Sequence, residues 1–317
     1  MNRRQALKTL ALTGTAAALS RLAPNLHAAP NKKGKGKQQA ATPGTAPDAT
    51  APGSFRHSVC GWIFVKKNAN EKGSTKMLLP DFAEAVKPMG IESIELLDPD
   101  QWPVLQKAGL MCAVSAHPPK TSIKRGFNRR EHHADIVPAY IERVKVCAEA
   151  GVPNVVCFSG SREGQSDEEG LEICAEGLRK VMPAAEKAGV TLIMELLNSK
   201  VNHADYQCDH TAWGVELCKR VGSERFKLLY DIYHMQIMEG DIIRTIRENE
   251  KYIAHYHTAG NPGRNEFEPQ DIQELNYPAI MRAIHDTGFR GFVGQEFGPK
   301  RDPLTSLAAA IKICTVM

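Results

Sequence analysis

Residues 227–241 read KLLYDIYHMQIMEGD. Leu228, Leu229, Tyr230 and Ile232 have the composition of a strand buried on both faces, as in a parallel sheet. Asp231 interrupts that apolar run, and His234 follows three residues later. An ionised carboxylate in a strand core is costly unless a partner offsets it. The stretch therefore predicts a strand, and it raises the question of what stabilises Asp231.

Seven more runs of this kind flank it. They are FRHSVCGW from Phe55, IESIELL from Ile91, LMCAVSAHP from Leu110, NVVCFSG from Asn154, TLIMELLN from Thr191, IAHYHTAG from Ile253 and GFVGQEF from Gly291. Stretches such as EEGLEICAEGLRKVMPAAEKAG lie between them, with apolar residues at three- and four-residue spacing, the helical period. Gly90, Gly109, Gly151, Gly189 and Gly288 each stand just before a strand, where a helix stop in the left-handed conformation favours Gly. Alternating strands and helices predict a parallel sheet, and eight units predict an α/β fold of the closed (β/α)8 TIM-barrel type, single-domain over residues 54–317. An open doubly wound sheet is the alternative. No GxGxxG follows the first strand, which argues against its dinucleotide-binding form.

Barrel sites are built at the C-terminal ends of the strands. The fifth strand ends with Glu195, the sixth with Asp231, the seventh with His257 and the eighth with Glu296, at separations of 36, 26 and 39 residues, each about one β/α unit. Taken singly, each reads more readily as a cap, a salt-bridge partner or a hydrogen-bonded core residue. Together they converge on one rim. Three carboxylates and an imidazole crowded there need a cation, and a divalent metal would neutralise Asp231. Three oxygens and one nitrogen predict one Mg2+ or Mn2+ ion; Co2+ and Zn2+ stay open.

The first 53 residues are of another kind. MNRRQALKTLALTGTAAALS pairs Arg3 and Arg4 with a short, mildly apolar stretch, and Ala28 and Ala29 offer a cleavage site. Residues 1–29 are expected to be a twin-arginine-type signal peptide, making the protein periplasmic or exported and the twin-arginine export machinery a partner. Residues 30–53, PNKKGKGKQQAATPGTAPDATAPG, are expected to be a disordered low-complexity linker, with almost nothing large and apolar to bury. Residues 1–53 carry eight basic side chains and one acid within a chain of net charge +4, so the remainder nets −3. The basic balance resides in these first 53 residues, and no nucleic-acid partner is expected. The eight cysteines form no CxxC pair and are expected to be mostly buried thiols. A homo-oligomer is left open.

LLYDIYHMQIMEGD, together with HYHTAGNPGR, ELNYPAI and GFVGQEF, resembles the hydroxypyruvate isomerase group of the xylose isomerase-like sugar isomerase and epimerase superfamily. The likeness spans roughly residues 55 to 300. It implies a metal-dependent isomerase acting on an α-hydroxycarbonyl compound, or a sugar, through an enediolate; for hydroxypyruvate the product is tartronate semialdehyde. By the same resemblance Glu195 and Glu296 bind the metal and move protons, while Asp231 and His257 serve as ligands only. His234 and Arg264 are implied as substrate contacts. His117, ending the third strand, is a further candidate for the pocket wall. Trp62 and Phe64, ending the first strand, are also candidates for the pocket wall, though they read first as packing residues; His203, His210 and Trp213 are additional candidates near the fifth strand.

Two features depart from the group. His257 stands where such isomerases usually carry Gln, and the loops NEFEPQDIQEL (265–275) and HPPKTSIKRGFNRREHH (117–133) do not follow its pattern. A ketose 3-epimerase, an enzyme acting on an oxidised keto-sugar, a metal-dependent endonuclease and a non-catalytic sugar-binding barrel are the other readings.

Overall fold

Each of the eight apolar runs supplies a strand in the computed structural model, which describes residues 54–66, 71 and 75–316. The expected leader (1–29) and linker (30–53) lie outside the described residues. The strands are β1 (Arg56–Cys60), β2 (Ile91–Glu95), β3 (Val114–Ser115), β4 (Asn154–Cys157), β5 (Thr191–Glu195), β6 (Phe226–Asp231), β7 (Ile253–Thr258) and β8 (Phe292–Gln295). All seven pairings between them are parallel, in the order β2-β1-β8-β7-β6-β5-β4-β3. Parallel bridges Ser93↔Met111 and Leu97↔Ser115 join the two ends, so the sheet curls into a nearly closed TIM barrel. Among the described residues, no helix is long and apolar enough to cross a membrane.

Helices follow the strands as the period demanded. Asp167–Ala188 begins at Ser166, whose hydroxyl accepts from the Glu169 N–H, and its first turn carries three acids against the helix dipole. The five glycines expected as helix stops all have positive φ, between 71° and 85°. Leu192, Ile193, Leu228 and Leu229 are fully buried. Each such side chain contributes roughly 1.5–3 kcal/mol by leaving water.

The third strand is shorter than the run LMCAVSAHP predicts. The Ala113 N–H is taken by Ser93 Oγ at 2.8 Å, and its carbonyl accepts from Asn154 Nδ2 at 3.0 Å. Side chains here replace ladder bonds, which confines the regular strand to Val114–Ser115. Arg143 buttresses the seam by donating to Ser115 Oγ and the Ala116 carbonyl. All eight cysteines are free and buried, as expected from their apolar surroundings.

His57 lies on β1, buried, with Nε2 3.2 Å from Thr315 Oγ1 near the end of the chain. Burial lowers its pKa from 6.5 to about 4. The unfolded chain therefore takes up this proton first, and the stability is present above pH 6.5 and lost as the pH falls toward 4. Urea midpoints should drop over that window, with His57 accounting for about 3 kcal/mol at its acid end. His57→Gln should flatten the drop; an unchanged pH profile would exclude His57 as its source.

Candidate active site

Strand register decides which side chains face the barrel axis. Residues i and i+2 share a face, and paired residues on neighbouring strands lie side by side. Glu195 pairs with Leu229, two residues before Asp231; Asp231 pairs with His257; His257 pairs with Gly294, two residues before Glu296. All four predicted ligands thus point inward from β5, β6, β7 and the end of β8. Each is at most 5% exposed. One donor atom from each lies within 4.8 Å of every other.

The contacts are close. His257 Nδ1 is 3.1 Å from Glu296 Oε2 and 3.4 Å from Glu195 Oε1. Asp231 caps the helix Ile232–Met238, its Oδ1 accepting from the His234 N–H at 3.0 Å. That bond answers part of the question raised by the opening stretch. The other oxygen, Oδ2, is buried with no hydrogen-bond partner, and so is His257 Nδ1. Buried polar atoms are almost always satisfied, so two orphans aimed into one cluster of acids point to a ligand. A donor set of three carboxylates and one imidazole fits a divalent ion.

Electrostatics agree. Burial, then the neighbouring Glu296, push Asp231 up to about 8. Burial also raises Glu195. Burial acts in the same sense on Glu296, but Arg264 and His257 outweigh it and hold that carboxyl well below its usual range. Arg264, on the loop after β7, reaches Glu296 Oε2 at 2.5 Å and Asp231 Oδ2 at 3.6 Å. Its guanidinium carbon lies 5.7 Å from the centre of the Trp62 ring and 5.6 Å from that of Tyr233.

The other predicted residues fall in different places. His234 is fully buried. Its Nδ1 accepts from the Asn198 backbone N–H at 3.1 Å, so its proton sits on Nε2, which has no hydrogen-bond partner and lies 3.7 Å from Asp231 Oδ2. Burial, helped by Arg264, lowers its pKa and keeps the ring neutral. His203 packs against it at 5.2 Å between ring centres. His117 is turned into its own loop, with Nδ1 2.9 Å from Thr121 Oγ1 and the ring edge-on to Phe158. His210 is bound to Asp209, and Trp213 donates to the Asp167 carbonyl. Phe64 is a packing residue, stacked on Phe82. Trp62 is not: half-exposed, it donates from Nε1 to Glu296 Oε1 at 3.1 Å. An aromatic after a strand suggests core; only the fold shows this one turned to the rim.

Sequence reasoning missed Glu95 and His255. Glu95 Oε1 lies 2.8 Å from Nε2 of His255 and 2.8 Å from Nε2 of His257, with all three residues fully buried. A signal was present. Glu95 ends β2 as Glu195 ends β5, and His255 shares a face with His257 through two-residue alternation.

A family model described as xylose isomerase-like TIM barrel matches residues 84–314. The chain is 34% identical over 125 residues to the 2-oxo-tetronate isomerase of Cupriavidus necator, a stretch covering 39% of this chain and 46% of that protein. It is 31% identical over 176 residues to the hydroxypyruvate isomerase of Escherichia coli, covering 54% of this chain and 64% of that protein. The matched stretch thus spans less than two thirds of either relative. Among solved structures, a family 2 AP endonuclease from Brucella melitensis aligns with TM-score 0.66 at 24% identity, covering 80% of this chain and 97% of that one. A 3-keto-D-glucoside 4-epimerase from E. coli aligns with TM-score 0.64 at 18% identity, covering 82% and 100%.

Proposed function

Given that the chain belongs to the xylose isomerase-like TIM-barrel family, we propose that it is a metal-dependent isomerase acting on an α-hydroxycarbonyl compound of the hydroxypyruvate or 2-oxo-tetronate type. The observation that carries this reading is the convergence of Glu195 and Glu296, from strands separated by β6 and β7, on the same imidazole nitrogen. Two carboxylates flanking one position can remove a proton from carbon on one side of a substrate and return it on the other. The relatives named for isomerisation of hydroxypyruvate and 2-oxo-tetronate support the reaction class.

Glu195, Asp231, His257 and Glu296 would hold the ion, which when bound would stabilise negative charge on the adjacent oxygens of the substrate. The protein's own groups do the rest. Glu195 is the stronger base of the pair, its pKa raised by burial, and takes the proton from the carbon beside the carbonyl. The C–H electron pair stays on the substrate as an enediolate. Proton delivery to the neighbouring carbon completes an isomerisation, and delivery to the original carbon from the opposite side completes an epimerisation. His234 offers a neutral Nε2–H donor to a substrate oxygen. Arg264 contributes positive charge at the mouth, and the Trp62 indole walls it. A net charge of −3 over residues 54–317 suits a small substrate better than a phosphodiester backbone.

A second reading follows from the N-terminal sequence. If residues 1–29 direct twin-arginine export to the periplasm, a keto-sugar is a better match than hydroxypyruvate, an intracellular metabolite. The same pair of glutamates would then epimerise it. A panel containing hydroxypyruvate, 2-oxo-tetronates, ketoses and 3-keto-glycosides, turned over in deuterated water, tests both. Deuterium should enter at carbon, because the proton passes through an exchangeable carboxyl. A product free of solvent deuterium would indicate a hydride shift and end the proton-transfer mechanism.

A further inference from the structure

The barrel axis carries a second polar group that shares His257 with the proposed site and otherwise consists of residues the proposed chemistry does not use. It is built from Glu95 on β2 and from His255 and His257 on β7, with Cys60 Sγ 3.8 Å from Glu95 Oε1. Donors around a common zinc-sized ion sit about 2.0–2.3 Å from it, and tetrahedral angles hold them more than about 3 Å apart. The two nitrogen–oxygen separations here are 2.8 Å, which is hydrogen-bond distance. One carboxylate oxygen therefore accepts from two ring N–H groups. A bare Nε2 on either ring would instead be pressed against the Glu95 lone pair in a fully buried place, whereas His257 Nδ1 is the nitrogen that faces Glu195, Glu296 and the proposed ion.

We propose that Glu95 is a positioning residue, which holds the proton of His257 on Nε2 and turns its Nδ1 toward Glu195, Asp231 and Glu296. A ligating histidine whose far nitrogen donates to a carboxylate has its ring orientation and tautomer fixed together. His255 is the second donor that locks the carboxylate in place. The reach from β2 to β7 crosses β1 and β8, and it depends on Gly294. Register puts Gly294 beside His257 on one side and beside Ser58 on the other, two residues before Cys60, which pairs with Glu95. A Cβ at position 294 would collide with Glu95 Oε1 and lie 3.0 Å from His257 Cδ2. The missing side chain is the space that the carboxylate occupies.

The role rests on the metal reading above only in its affinity arm. With histidine rings labelled with 15N, the wild-type protein should show hydrogen-bonded Nε2–H resonances for both His255 and His257. A His257 proton on Nδ1 with Nε2 bare would overturn the proposal, whether or not any variant folds. In calorimetric titration with Mn2+, Glu95→Leu should bind about 10- to 100-fold more weakly than wild type, with circular dichroism unchanged. Glu95→Gln keeps an acceptor oxygen and should recover part of that loss, which a purely space-filling role would not require. Gly294→Ala should reproduce the weakening with every donor retained. Wild-type affinity in Glu95→Leu would overturn the proposal. Absence of Mn2+ binding by wild type itself would instead refute the metal reading, leaving the ring resonances to decide on Glu95.

Discussion

Replacing Glu296 with Gln should cut turnover by about 10³-fold or more while the barrel stays folded. Glu296 is buried, accepts from Trp62 Nε1 at Oε1, and faces Arg264 and His257 Nδ1 with Oε2. Gln has the same length and can still accept from Trp62, so the packing survives. It cannot carry a proton to or from carbon. Because the change also removes charge from the proposed ligand set, the rate is to be read at saturating Mn2+, beside a measured Mn2+ affinity. Solvent deuterium incorporation into substrate should fall with turnover, which locates the defect in proton transfer. A Glu296→Gln protein that exchanges carbon-bound hydrogen at the wild-type rate would remove Glu296 from the mechanism.

Asp231→Asn should separate function from stability. Burial and Glu296 place the Asp231 carboxyl at about 8, against an ordinary 3.8. A group whose native pKa is raised favours the fold while protonated. Its contribution is complete below pH 3.8 and lost as the pH climbs through about 8. In the chelator-treated protein, Asn at this position stays neutral at every pH and can keep the cap to the His234 N–H. The chelated variant should therefore outlast chelated wild type in urea at pH 8, by several kcal/mol, and show little difference near pH 4. Mn2+ binding should meanwhile weaken severely and activity should vanish, because the site loses a full ligand charge. A variant that is both less stable at pH 8 under chelation and normal in metal binding would show that Asp231 is an ordinary capping residue.

Much of this site was legible before the fold. Glu195, Asp231, His257 and Glu296 each stand at the same point of successive β/α units, and a barrel brings equivalent points together. His234 was singled out only through the family resemblance; its burial beside Asp231 is what the fold adds. Trp62 was misread, because nothing local distinguishes an aromatic that turns into the core from one that turns over the rim. His117 lies two residues beyond the shortened third strand, and its Nδ1 turns to Thr121 and the Pro118 carbonyl within its own loop. The shortened third strand also escaped, since Ser93 and Asn154 displace its ladder bonds from other elements.

The chain's own order of residues determined eight parallel strands, the faces they bury, and a ring of acids at their C-terminal ends, because alternation and spacing are local properties. Which atoms on that inward face meet was decided only by the closed barrel. Glu95 finds His255 and His257 across 160 and 162 residues of chain, through a gap left by the bare backbone of Gly294. Such contacts depend on strand stagger and on the absence of one methyl group, and neither can be read from the residues nearby.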